Sequence, residues 1–213
     1  MRTSELIRIL AADADPVVRS SPRGRLLRAA TWGGVASLVL MVLTLKVRAD
    51  VVQATLLAMF WGKLAFGLML TAAALELVHR ASIPGRTPGA MPVLLAVPPV
   101  AIWSVGILDL ASAPADERVS LLLGQTWAVC PALITMLSVP FFLATIRAVR
   151  SQAPTRLRLA GAATGLFSGA AAAVVYALHC PEMAAPFIGT WYLLGIVTPA
   201  AIGWIAGPRL LRW

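Results

Sequence analysis

Charge is scarce in this chain: 18 Lys/Arg and 9 Asp/Glu in 213 residues, or 13%, against 59% hydrophobic residues and a mean hydropathy of +0.83. A soluble domain is about half apolar and about a quarter charged, so the excess must meet lipid, which excludes a soluble enzyme. Disorder is excluded as well, because so few charges cannot keep so apolar a chain solvated. Cysteine and histidine number two each, too few for a disulfide framework or a complete Cys/His zinc centre. The chain also lacks a phosphate-binding glycine loop, a His-Glu-x-x-His motif and a Gly-x-Ser-x-Gly motif. No catalytic constellation and no cofactor are therefore expected.

What is present is a series of apolar runs. They predict an all-α polytopic membrane protein with six transmembrane helices, about 29–45, 60–80, 90–109, 127–146, 159–178 and 188–207. Residues 1–28 form a polar tail and 29–213 the membrane domain. The first apolar run ends in Lys46-Val47-Arg48-Ala49-Asp50, a poor cleavage site, so it reads as a retained helix. Pro92, Pro98 and Pro99 predict a kinked or broken third segment, and residues 50–59 an interfacial stretch. Fourteen Lys/Arg fall to the face shared by both termini, and Lys46, Arg48 and Arg118 to the other. That bias puts both termini in the cytoplasm and accounts for the net charge of +9 without a nucleic-acid partner.

Within the spans, Lys63 reads as an anchor that snorkels to the nearer surface, an ion or proton pathway being the alternative. Glu76 and Asp109 read as hydrated helix ends, and no chain of acids crosses the core. Gly161, Gly165, Gly169 and Ala173 lie four apart, and Gly203 and Gly207 repeat the spacing. Such ridges predict close helix packing, or a homodimer face. Trp127, Trp191 and Tyr192 read as an aromatic belt. His79 and His179 fall at opposite membrane faces, ~30 Å apart, and cannot share a haem iron.

The two cysteines are the chemical feature. Cys130 is placed about one turn inside the fourth segment and Cys180 at the end of the fifth, on the same face, their depths differing by ~6 Å. Each precedes proline, which disturbs helix geometry and can bring the thiols together. The pair reads as a permanent disulfide, as two unrelated buried thiols, or as a redox- or metal-responsive pair assisted by His179 or Glu182. In the tail, Thr3-Ser4-Glu5 opens a helix with Leu6, Ile7 and Leu10 on one stripe, stopped at Asp13, Asp15 and Pro16 and followed by Val17-Val18. About 28 residues cannot bury their own core, so the stripe must meet lipid or a partner.

These features resemble the NrsF family, the negative regulators of sigma F. The resemblance is carried by Leu6-Ile7, Leu10 and Asp15-Pro16-Val17, by both Cys-Pro sites and by Tyr176-Ala177-Leu178-His179-Cys180. Trp191-Tyr192 and Gly207-Pro208-Arg209-Leu210-Leu211-Arg212-Trp213 complete it. It implies a bacterial inner-membrane anti-sigma factor that holds an extracytoplasmic-function sigma factor and releases it under metal or oxidative stress. Cys130 and Cys180 would then be the sensor, and Leu6, Ile7, Leu10, Asp15, Pro16 and Val17 the sigma-contacting segment. The tail has no zinc-binding His/Cys cluster, so it is expected to bind without metal. A thiol oxidoreductase and a small transporter are the alternatives. The first commonly uses a second cysteine pair, which this chain lacks, and the second needs a polar path for which Lys63 alone is thin support.

Overall fold

The computed structural model describes residues 3–12 and 21–212, without the side chains of residues 9 and 10. Among the described residues every regular element is helical, and six helical stretches are long and apolar enough to cross a membrane. The chain runs α1 (Thr3–Ala12), α2 (Pro22–Thr44), α3 (Val51–Ala54), α4 (Ala58–Ser82), α5 (Met91–Ser112), α6 (Arg118–Leu123), α7 (Cys130–Arg150) and α8 (Leu157–Tyr176). A last span combines α9 (Ala185–Phe187), a π-turn (Ile188–Tyr192) and α10 (Leu193–Leu210). Leu43, Leu56 and Ile205 are 73–84% exposed, a surface suited to hydrocarbon.

The first span starts earlier than its hydropathy suggests. Ser21 caps α2, its Oγ accepting from Gly24 N at 3.3 Å, and Pro22 stands in the first turn, where its missing N–H costs nothing. Arg23, Arg25 and Arg28 thus belong to the helix rather than to a free tail. Of the kink or break expected in the third span, the break is absent: α5 continues through Pro98 and Pro99. A proline deletes one intrahelical hydrogen bond, and neighbouring helices hold the rest of the ladder. As expected, residues 50–57 form a short non-spanning stretch around α3.

Because the spans alternate in direction, the connections fall at two ends. The 83–90 and 151–156 connections lie at a basic end with Arg80, Arg147 and Arg150. The 45–57, 113–129 and 177–184 connections lie at the other, with both cysteines.

At the centre stands α8, packed against α4, α7 and α10. A Cβ on Gly161 would collide with Gly203 O, one on Gly165 with Pro199 O, and one on Gly169 would sit 2.6 Å from Ile196 O. The glycine ridge therefore lets the backbones of α8 and α10 touch, and it is filled within one chain. It lies between the fifth and sixth spans, whereas α7 reaches α10 through Ile134 against Gly195. Gly165→Val should lower stability by about 1–3 kcal/mol or more, since neither backbone can yield. Gly62→Val, which meets only Met59 Sδ at 3.4 Å, should be far milder. Thermal melts of both variants in detergent check this.

Candidate functional site

Proline sets the position of each cysteine. Pro131 occupies the first turn of α7, so Cys130 is the first residue of that helix rather than one turn inside it. Pro181 comes after the turn that ends α8, in which His179 N and Cys180 N both donate to Tyr176 O at 2.9 and 3.0 Å. One Cys-Pro opens a helix and the other closes one at the same end of the bundle. Both cysteines are free, fully buried and part of one cluster with Tyr176, Phe187, Ile188 and Tyr192. The Tyr176 hydroxyl interacts with both thiols.

Tyr192 does not join an aromatic belt. The π-turn rotates it inward, where it is 1% exposed and meets Tyr176 at a tilt, with ring centroids 5.6 Å apart. A π-turn inserts one residue into the helix and re-aims the side chains beyond it. It is braced by Trp103 Nε1 donating to Gly189 O at 3.0 Å and Trp191 Nε1 donating to Leu122 O at 2.9 Å. Tyr192 Oη lies beside Cys180 but has no hydrogen-bond partner among the described residues.

Lys63 does not snorkel. It is 1% exposed, and its Nζ donates to Cys180 O at 2.9 Å and Glu182 O at 3.0 Å. The same Nζ stands 5.7 Å from the centre of the Tyr192 ring. Its role is to hold down the 180–182 segment, a strap that carries Cys180. Arg48 Nη1 donates to Cys180 O at 3.3 Å and Arg48 N to Leu178 O at 3.2 Å, while His179 Nδ1 pairs with Lys46 O at 2.9 Å. On the other side Glu182 Oε1 accepts from Gln125 N at 2.8 Å, Thr126 N at 3.2 Å and Thr126 Oγ1 at 3.3 Å. Gly124, at φ +55°, leaves the room this carboxylate needs: a Cβ there would lie 2.6 Å from Glu182 Oε2.

Arg48 is itself fixed by Asp50, Nε donating to Oδ1 at 2.7 Å. The guanidinium's hydrogen bond holds the Asp50 carboxyl below the usual carboxylate range, so this support persists through neutral pH and is lost only in strong acid. Among the described residues no group of three or more His, Cys, Asp or Glu stands close enough to hold a metal ion. Glu182 Oε1 is taken by Gln125 and Thr126, and His179 by Lys46 O at Nδ1 alone.

Of the tail residues, Leu6 and Ile7 are exposed on α1, at 42% and 62%. The Leu10 side chain and Asp15, Pro16 and Val17 lie outside the described residues. Glu76 is more than a hydrated helix end: its carboxylate joins Arg23 of α2 and Arg80 of α4 at 3.0 and 2.9 Å. Lys63, Arg48 and Thr126 were not readable as partners of the cysteines. The one signal was a lysine isolated in an apolar span.

The model of the NrsF family, negative regulator of sigma F, matches residues 10–213. The chain is 47% identical over 213 residues to a protein of Azospira oryzae named probable anti-sigma-F factor NrsF. It is 40% identical over 214 residues to the anti-sigma-F factor NrsF of Caulobacter vibrioides, and both alignments cover each chain completely. No solved structure matches.

Lys63→Met should strand the Glu182 carbonyl, leave Cys180 O to Arg48 alone and loosen the strap. Hydrogen bonds to a charged donor contribute about 1.5–3 kcal/mol, so maleimide labelling of the thiols should quicken by about tenfold or more. Labelling at the wild-type rate would remove Lys63 as the strap's fastening.

Proposed function

The chain belongs to the NrsF family, and on that premise we propose that it is an anti-sigma factor of a bacterial inner membrane. Its N-terminal tail, which ends where α2 begins, holds an extracytoplasmic-function sigma factor, and an oxidant or soft metal ion at Cys130 and Cys180 releases it. It acts as a regulator rather than a catalyst. The observation that carries the reading is the full-length identity to relatives named anti-sigma-F factors, which extends over the tail as well as the bundle. The exposed Leu6 and Ile7 of α1 agree with it, as an apolar pair without a place in the membrane core suits a protein partner. The arginine-rich end faces the cytoplasm in this reading, and the thiol end faces the oxidising side.

The thiol cluster supports the sensing step. Oxidation to a disulfide forms one S–S bond and passes two electrons and two protons to the oxidant. Tyr176 already interacts with both sulfurs, and the unpartnered Tyr192 hydroxyl offers a donor to an oxygen or negative charge gained at Cys180. Metal capture would use the same two sulfurs as thiolates, and His179, its Nδ1 held by Lys46 O, could join through Nε2. Either event pulls on the strap, and through Lys63 and Arg48 on α4 and on the connection between α2 and α3. The tail leads directly into α2. A hundredfold loss of sigma affinity needs a coupling of about 2.7 kcal/mol, within the usual allosteric range. The scheme needs no homodimer, since the small-residue faces of α8 and α10 meet each other.

Pull-down of the tagged chain from its native membrane should recover a sigma factor, and the Leu6→Asp/Leu10→Asp double variant should lose it. Recovery with both would move the binding segment elsewhere, and recovery with neither would end the anti-sigma reading. Separately, a Cys130→Ser/Cys180→Ser double variant should hold the sigma-dependent reporter at one level under oxidant or cadmium stress. Full induction in that variant would remove the cysteines from sensing.

A further inference from the structure

The basic end carries a recess that the sensing scheme does not use. It is a cleft of about 470 Å³ between the first turns of α2 and the last turns of α4. Leu27, Ala72 and Leu75 form its apolar wall, and Arg23, Glu76, His79 and Arg80 its polar rim. We propose that this cleft is a binding site for one anionic phospholipid, the phosphodiester seated on the arginine rim and the upper acyl chain on the apolar wall.

The rim's charge favours an anion. Glu76 is shared by Arg23 and Arg80, so its negative charge is already offset twice over. Arg86 adds a third guanidinium, its Nη1 lying 3.1 Å from His79 Nε2. Two arginines against one carboxylate, with Arg86 behind His79, leave the rim cationic beside the ends of two spans.

His79 adds a donor in need of an acceptor. A guanidinium can only donate, so His79 Nε2 must accept and the ring hydrogen sits on Nδ1. That Nδ1 is buried and has no hydrogen-bond partner among the described residues. A turn of the ring would bring that hydrogen to a phosphate oxygen seated between the arginines.

The wall selects lipid over a soluble anion. Leu27 is 53% exposed and Ala72 is exposed too, facing outward on helices whose surroundings are hydrocarbon. A free phosphate gains nothing from that wall, whereas an acyl chain buries it. The lipid would brace α2 against α4, which otherwise touch sparingly at this end. It sits about 20 Å of helix from Lys63 at the other end of α4. Lipid binding here requires only that these helices span a membrane and does not depend on the anti-sigma reading.

Native mass spectrometry of the full-length chain, purified in detergent and titrated with phosphatidylglycerol, tests it. Wild type should retain one phosphatidylglycerol, bind phosphatidylcholine with matched chains at least tenfold more weakly, and be undisturbed by equimolar inorganic phosphate. Ala72→Trp, which fills the cleft from an exposed position, and Arg80→Gln should each weaken retention by about fivefold. Arg158→Gln, outside the cleft, should leave it unchanged. Equal retention of the two lipids, equal retention by Ala72→Trp and wild type, or displacement by inorganic phosphate would each overturn the proposal. Should Arg80→Gln melt early, Ala72→Trp with a wild-type melting temperature decides alone.

Discussion

Backbone contact between α8 and α10 is the constraint on which the rest of the bundle depends. In lipid, helices gain little from burying apolar surface against one another, and association rests on close packing and hydrogen bonds. Glycine at 161, 165 and 169 lets α8 lie directly on carbonyls of α10, and the small side chains along its other faces admit α4 and α7. A helix enclosed in this way has no freedom to turn. Its end is therefore a fixed point, and Tyr176 and Cys180 inherit that position. The membrane domain holds its two thiols in register because the helix leading to one of them cannot rotate.

Lys63 does for the strap what glycine does for the helices. A buried amino group with no acceptor would cost several kcal/mol, and two carbonyls of the 180–182 segment prevent that cost. The dependence is mutual, because those carbonyls also need a donor in a place that water does not reach. Arg48, His179 and Glu182 extend the network to the connections on either side. Cys180 thus belongs to a segment tied by hydrogen bonds to three other parts of the same end. Such a network is stiff while complete and changes as a unit when one member is lost.

Much of this was legible in the sequence. The number and order of spans, the alternation of ends and the segregation of arginine come from composition and periodicity, because lipid imposes length and polarity locally on each segment. The placement of both cysteines at one end is equally legible, since end assignment needs only counting. Their surroundings are not. Whether two helices that share an end bring particular side chains together depends on rotation about their axes, and rotation is set by neighbours.

The misread residues share that cause. Lys63 looked free to snorkel because its depth was known and its azimuth was not; packed inward, it found the strap. Tyr192 looked like an interfacial aromatic, but the π-turn ahead of it, which no local pattern announced, turned it onto the thiols. Pro98 and Pro99 looked like a break, yet α5 runs through them. The amino-acid sequence by itself determined that this chain crosses a membrane six times, which segments do so, and that its thiols share an end. Only the tertiary structure decided which faces meet: it turned α8 toward α10, Lys63 toward Cys180 and Glu182, and Glu76 toward Arg23. Burial in lipid is a property of each segment, whereas contact is a property of pairs.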